Sequence, residues 1–316
     1  VPVRESAFDT VLGHSRGLQQ VIQLARKVAV TDVPVLLTGE TGTGKEVFAQ
    51  AIHNGSARAK QPFVAINCSA FSKELLESEI FGHKAGAFTG ALKDKKGLFE
   101  EANHGTIFLD EIGEMAYGLQ AKLLRVLETG EYIKVGDTKP TKIDVRIVSA
   151  TNRNLKEEIA NSNFREDLYF RLSVFHLHLP PLRERREDIP ELAAAFLKFF
   201  AAKMGKQVKG FAADCQAWMQ SYAWPGNVRE LRNVIERALI ICDDYITLDD
   251  MPLDFRSSTL SGSAADGDDF ELAEAEHRHI QRVLQYTKGN KAEAARLLKI
   301  GLTTLYRKIE EYGINI

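Results

Sequence analysis

Cysteine is scarce in this chain of 316 residues: Cys68, Cys215 and Cys242 are scattered and odd in number. That argues against a disulfide framework, offers no metal-ligand spacing, and fits a reducing, cytoplasmic compartment. Long apolar runs are missing too. No stretch approaches the roughly 18 residues that span a bilayer, and no basic-then-apolar leader opens the chain. Neither sign of charge dominates, since 41 Lys and Arg stand against 43 Asp and Glu, a net −2. Any nucleic-acid surface must therefore be local. No internal repeat is visible.

What is present describes a soluble globular protein, 27% charged and 44% hydrophobic, long enough for two or three domains. The first residue is Val rather than Met, as in a processed chain or an excised fragment. Leu18, Val21, Ile22, Ala25 and Val28 recur at helical spacing. "VPVLLTGETGTGKEVFAQAIH" then reads as strand, glycine-rich loop and helix. Apolar strands follow at 63–67, 106–111, 145–152 and 174–179, with helical patterns between them. Such alternation predicts an α/β fold, a mostly parallel sheet flanked by helices, over 1–180. Helices at 189–204, 212–222 and 228–241 predict a helical subdomain over 181–255. A Ser-, Gly-, Ala- and Asp-rich linker is expected at 256–270, and an all-α domain at 271–316.

Gly39, Glu40, Thr41, Gly42, Thr43, Gly44 and Lys45 satisfy the GxxxxGK part of a P-loop, between an apolar strand and a helix. Loop N–H groups and the helix N-terminus can cradle phosphates there, while Lys45 reaches the β and γ oxygens of ATP. Position 46 holds Glu46 where Ser or Thr usually ligates Mg²⁺. A carboxylate can serve a hard cation directly or through water, so its part in metal binding stays open. "GTIFLDEIGE" ends a strand in Asp110 and Glu111, at the edge where open α/β sheets bind ligands. Asp110 suits the water shell of Mg²⁺, and Glu111 suits polarising the attacking water. ATP hydrolysis is the reading these two motifs make together.

The segments GETGTGKE, ESEIFGHKAGAFTGA, GTIFLDEIGE, SATNRNL, FREDLYFRL and WPGNVRELRN occur in that order. Together they resemble the AAA+ domain of the NtrC-like activators of sigma-54 RNA polymerase, over about residues 8–255. The tail resembles the Fis-type DNA-binding domain of the same family. The resemblance implies that Asn67 restrains Glu111, that Thr151 and Asn152 sense the γ-phosphate, and that Arg229 is a second sensor. It also implies that Arg165 and Arg171 are candidate arginine fingers acting in trans, hence a ring, commonly a hexamer or heptamer. Six residues apart on one helix spans roughly 600°, so the two arginines would diverge by about 120°. Both could reach one phosphate only if Arg165 lies before the helix. One catalytic finger and one interface or structural arginine are expected.

In the tail, helices are expected through Leu298 and from about Leu302, with Ala294, Ala295, Leu298, Ile300, Leu305 and Ile309 as an apolar seam. Thr303, Thr304, Tyr306, Arg307 and Lys308 are left facing outward, as in a helix-turn-helix whose second helix enters a major groove of double-stranded DNA. The charge surplus from Glu271 to Ile316 is only two, eight Lys and Arg against six Asp and Glu. Where the family usually has Gly, an N-cap such as Ser and often Arg, this chain has Lys299, Gly301 and Leu302. A further helix from Glu271, with Leu272, Ala275, Ile280, Val283 and Leu284 on one face, is expected to form a dimer contact over an inverted repeat.

The segment Gly86, Ala87, Phe88, Thr89, Gly90 and Ala91 is the most diagnostic piece. Its small residues suit a loop that changes shape rather than packs, and the family resemblance makes it the grip on sigma-54. Two competing functions differ in kind. An unfoldase or helicase would place a bulky aromatic pore loop there, and a regulator without turnover would bind ATP and DNA only. No receiver, GAF or PAS pattern precedes the P-loop domain in this chain, so the input signal is not legible.

Overall fold

Five short runs become one parallel sheet, whose three central strands are buried on both faces while the two edge strands keep exposed positions. The computed structural model describes residues 5–252, 276–277, 279–281, 283–284, 287 and 290–314. Helix α1 (Arg16–Ala29) precedes β1 (Val35–Thr38), α2 (Lys45–Asn54), β2 (Phe63–Asn67) and α3 (Lys73–Phe81). After a long insertion come α4 (Leu98–Glu101), β3 (Thr106–Asp110) and α5 (Tyr117–Thr129). A small antiparallel hairpin, β4 (Glu131–Ile133) with β5 (Pro140–Lys142), leads to β6 (Arg146–Thr151), α6 (Leu155–Ala160), α7 (Glu166–Leu172) and β7 (Phe175–His178). Spatial order is β2-β3-β6-β1-β7, every neighbour parallel. The expected parallel α/β sheet is therefore present.

Side chains alternate across it. Leu36, Ile107, Leu109 and Ile147 join a core with Ile80, Leu119, Leu123 and Leu168 from α3, α5 and α7. Val35, Leu37, Phe108 and Val148 join the opposite core with Leu18, Ile22, Phe48 and Ile52 from α1 and α2. Two-sided burial explains why these strands read as nearly unbroken apolar runs. Arg146 is buried on the second side and donates from Nη1 to Ala29 O (2.8 Å) and from Nη2 to Val28 O (2.9 Å), capping the last carbonyls of α1. Burial pushes its guanidinium down to about 10.

The helical subdomain packs α8 (Ile189–Met204), α9 (Ala213–Ser221) and α10 (Asn227–Ile241) around Phe200, Trp218, Trp224 and Ile235. A short parallel pair, β8 (Gly210–Phe211) with β9 (Tyr245–Ile246), closes it. Its entry is tied to that of α1 by Asp188, a fully buried carboxylate. Asp188 accepts from Ser15 N (2.7 Å), Ser15 Oγ (2.6 Å) and His14 N (2.8 Å). Three donors offset the cost of burying that charge.

Contacts divide the chain into Val1–Arg256 and Ser257–Ile316. In the second unit α11 (Lys291–Leu298) and α12 (Leu302–Glu311) pack with Ile280 and Leu284 through Ala294, Ala295 and Leu305. The linker expected at 256–270 lies outside the described residues, as do Leu272 and Ala275 of the expected dimer helix. Among the described residues no helix is long and apolar enough to cross a membrane. Asp188→Ala strands at least two buried N–H donors, so it should cost about 3 kcal/mol. Urea unfolding of the chain measures this, and Ser15→Ala should lose only about 1 kcal/mol.

Candidate nucleotide site and partner surfaces

The P-loop leaves β1 and turns back into α2, placing residues 39–45 at the carboxyl edge of the sheet. Gly44 precedes α2 with φ 103°, a conformation that favours glycine. A cavity of about 260 Å³ opens there, lined by Gly42, Gly44, Lys45, Glu46, Asp110, Glu111 and Arg229 among others. The sheet order brings β3 to this edge, so the two motifs read from sequence share one cavity. Lys45 is buried and donates from Nζ to Gly39 O (2.8 Å) and Glu40 O (3.2 Å). Burial lowers its pKa, while the charges of Glu111 and Asp110 oppose the shift.

Glu111 takes a left-handed backbone (φ 51°), and its N–H bonds Asp110 Oδ1 at 3.0 Å. Its carboxylate accepts from the backbone N–H of Asn152 at 3.3 Å. Asn152 Nδ2 in turn reaches Thr41 Oγ1 (3.0 Å), so the end of β6 ties Glu111 to the P-loop. Thr151 is buried beneath, its hydroxyl accepting from Arg153 N at 3.1 Å. Asn67 stands beside Asp110 in the β2–β3 register, but its side-chain oxygen accepts from Ser69 N and Ser69 Oγ (2.8 and 2.7 Å). In this structure Glu111 is held by the backbone of Asn152, while the Asn67 side chain is engaged with Ser69.

The helical subdomain closes the cavity from above. Gly42 O accepts from Val228 N (3.0 Å) and Arg229 N (3.3 Å) at the start of α10. Asn227, fully buried with φ 54°, donates from Nδ2 to Thr41 O and Glu40 Oε2, both at 3.1 Å. Glu40 also receives a two-pronged bond from Arg183 (2.8 and 2.6 Å). The Arg183 bond first, and then that of Asn227, hold the Glu40 carboxyl at about 2 instead of the ordinary 4.5. A depressed carboxylate stabilises above its unfolded value, so this clamp is complete at neutral pH and is lost only as pH falls from 4.5 toward 2. Glu40 keeps its place in the P-loop, and its side chain joins that loop to the lid. Arg185 lies deeper, donating to Thr43 O at 2.9 Å, with its Nε buried and unpartnered among the described residues.

A second cleft, about 130 Å³ and mostly apolar, shares Gly44, Val47, Phe196 and Val228 with the cavity and adds Val11 and Leu12. It adjoins the P-loop. Sequence reading missed it because its walls come from four distant segments, whose apolar residues are ordinary in their own local patterns.

Comparison with known families decides what this cavity serves. A model described as the sigma-54 interaction domain matches residues 11–178, one for an AAA+ ATPase lid domain matches 183–267, and one for bacterial regulatory proteins of the Fis family matches 271–312. The chain belongs to the NtrC-like, sigma-54-dependent activators. It is 47% identical to the alginate biosynthesis regulator AlgB of Pseudomonas aeruginosa over 97% of this chain and 68% of that protein. With NtrC of Escherichia coli it shares 41% over 96% of this chain and 70% of the relative. The crystal structure of NtrX from Brucella abortus in complex with ATP superposes with a TM-score of 0.74 at 36% identity, covering 96% of this chain and 70% of that one. This activator is thus an AAA+ ATPase that binds ATP, with sigma-54 and DNA as partners.

Neither candidate finger of the activator lines its own cavity. Arg165 does precede α7, as its N-cap residue. Its guanidinium pairs with Asp167 (3.0 and 2.7 Å) and lies 5.5 Å over the Tyr117 ring. Arg171 is exposed, and Glu128 stands 3.7 Å from it. The GAFTGA segment forms no regular element. Phe88 rests edge-on against His83 (4.9 Å, 67°), and Thr89 is exposed. Ala87 sits in a notch at Gly136 (φ 77°), where an added Cβ would stand 2.6 Å from Ala87 Cβ.

In the second unit Thr303, Tyr306 and Arg307 are exposed on α12, and Thr304 is half-buried. Lys308 departs from its expected outward position. It is drawn to the partly exposed Glu276 (2.6 Å), which also accepts from Tyr312 Oη (2.7 Å). Lys291 lies 5.2 Å over the Tyr306 ring. Lys299, standing where glycine is usual, takes φ 55°, a strained choice for a side chain.

A Cβ on Gly42 would overlap the Gly226 carbonyl oxygen, in a backbone with φ 82°. Gly42→Ala should therefore lift α10 from the P-loop and weaken ATP binding by about tenfold or more, read by fluorescent-nucleotide titration.

Proposed function

We propose that this activator assembles as a ring and uses ATP hydrolysis to remodel the closed sigma-54 polymerase promoter complex through the GAFTGA loop. The observation that carries the reading is the insertion between α3 and α4. Its two arms run from β2 and into β3, strands paired at Asn67 and Asp110 beside the nucleotide cavity. A change at Asp110 or Glu111 has a covalent route to Phe88 and Thr89.

The adenine ring fits the apolar cleft of Val11, Leu12, Phe196 and Val228, and the phosphates fit the cavity above Lys45. Mg²⁺ usually takes one or two carboxylates plus phosphate oxygens and waters. Asp110 and Glu46 offer that donor set at the cavity wall, and among the described residues no protein-only cluster of three competes. Bound there, the ion would screen phosphate charge. Glu111 takes the proton of the attacking water once released from Asn152. Lys45 transfers its hydrogen bonds from loop carbonyls to phosphate. Arg229 closes the lid side.

Charge on the transferred phosphoryl group calls for one more cation, and a neighbour's Arg171 is the better candidate. Arg165 already spends its fork on Asp167, whereas Arg171 is exposed and loosely paired. Arg165 then serves the interface. Upstream DNA is read by Thr303, Thr304, Tyr306 and Arg307 of a dimer, and Leu302 offers an apolar contact of the kind a thymine methyl accepts.

Two measurements test this reading. Arg171→Ala and Lys45→Ala should each lower ATP turnover by about 10³-fold. Mixing the two should restore a fraction of it, because a shared interface then holds one intact site, and no recovery would place the finger in cis. Phe88→Ala or Thr89→Ala should keep nucleotide affinity within about twofold and abolish promoter opening in a sigma-54 transcription assay.

A further inference from the structure

Of all large apolar side chains described, the most exposed is in the GAFTGA loop and is not its phenylalanine. Leu92 is 89% exposed, and the next most exposed reach 62%. Phe88, at 43%, is partly covered by His83. An aliphatic side chain held in water gains nothing for the fold, and such groups beside a partner surface mark contact.

Leu92 is held out by built geometry. Ala91 is buried, donates to Phe88 O (3.0 Å) and accepts from Gly86 N (2.8 Å). Leu92 N donates back to Gly90 O (2.9 Å), a three-residue turn around the buried Ala91 that sends the following side chain outward. Beyond it Asp94 clips the arm, accepting from Ala85 N (2.9 Å) and Lys84 Nζ (2.7 Å). Lys84, Lys95 and Lys96 are matched by Asp94, Glu79 and Glu100, so the collar around Leu92 is nearly neutral. Lys93, exposed beside it, has no ion pair among the described residues.

We propose that Leu92 is a second anchor on sigma-54, seating in an apolar pocket with an acidic or neutral rim. In this conformation it reaches the partner ahead of Phe88, and Phe88 follows when it leaves His83. The inference rests on the reading of the loop as the sigma-54 contact.

The test captures sigma-54 on the full chain loaded with ADP and aluminium fluoride, with loading verified for each variant. Leu92→Gln should weaken capture about tenfold, the loss expected for one buried leucine side chain. Leu92→Met, which conserves volume, should stay within about twofold. Equal capture by Leu92→Gln and the unmodified chain would overturn the proposal. Phe88→Ala separates the failures: if it also captures normally, the loop reading itself falls. If only Phe88→Ala loses capture, the loop reading stands and Leu92 is no anchor.

Discussion

One carbonyl organises the nucleotide site. Gly42 O accepts the first two free N–H groups of α10, and through them the helical subdomain sits on the P-loop. The helix needs those acceptors, since its opening N–H groups have no partners within the helix. Only glycine lets the backbones come so close. Given that contact, Val228 and Phe196 fall beside Val47 to wall the apolar cleft, and Arg229 reaches the cavity over the P-loop. Glu40 reinforces the same joint from its other side through Arg183 and Asn227. Arg183 and Glu40 are both well exposed, so solvent screens their pair. It orients the lid more than it stabilises it.

The parts legible in sequence are those whose chemistry is local. Strands buried on two faces announce themselves as apolar runs, and the P-loop is contiguous because its N–H groups must wrap one anion. Asp110 and Glu111 were readable because a strand end fixes where they point. Contacts that depend on which rotamer wins were not. Asn67 lies next to Asp110 as its register requires, yet two local donors on Ser69 outcompete the distant carboxylate for its oxygen. Lys308 looked outward on a helical wheel, but Glu276 from another helix captures it. The apolar cleft left no trace, since Val11, Leu12, Phe196 and Val228 are scattered over more than half the chain.

Arg165 shows the intermediate case. Rotation about a helix axis implies that two arginines six residues apart on one helix diverge, and that both can reach one phosphate only if Arg165 lies before the helix. The structure puts Arg165 at that position. What spacing could not supply is the competition: Asp167, two residues on, satisfies the guanidinium fork before any phosphate arrives.

The GAFTGA segment packs little side chain. Phe88 keeps an aromatic edge contact with His83, Ala87 sits on Gly136 and Lys84 pairs with Asp94. Backbone bonds such as Lys84 N to Val135 O (2.9 Å) and Gly86 N to Ala91 O (2.8 Å) hold its arms. An aromatic edge contact contributes about 1 kcal/mol and a surface ion pair no more than that. Moving a two-state loop from 1:99 to 99:1 takes about 5.5 kcal/mol. Larger side chains at 85–91 would bury more area and raise the cost of the rearrangement proposed above. Small residues keep that cost low, and in this structure they leave Phe88 and Leu92 exposed.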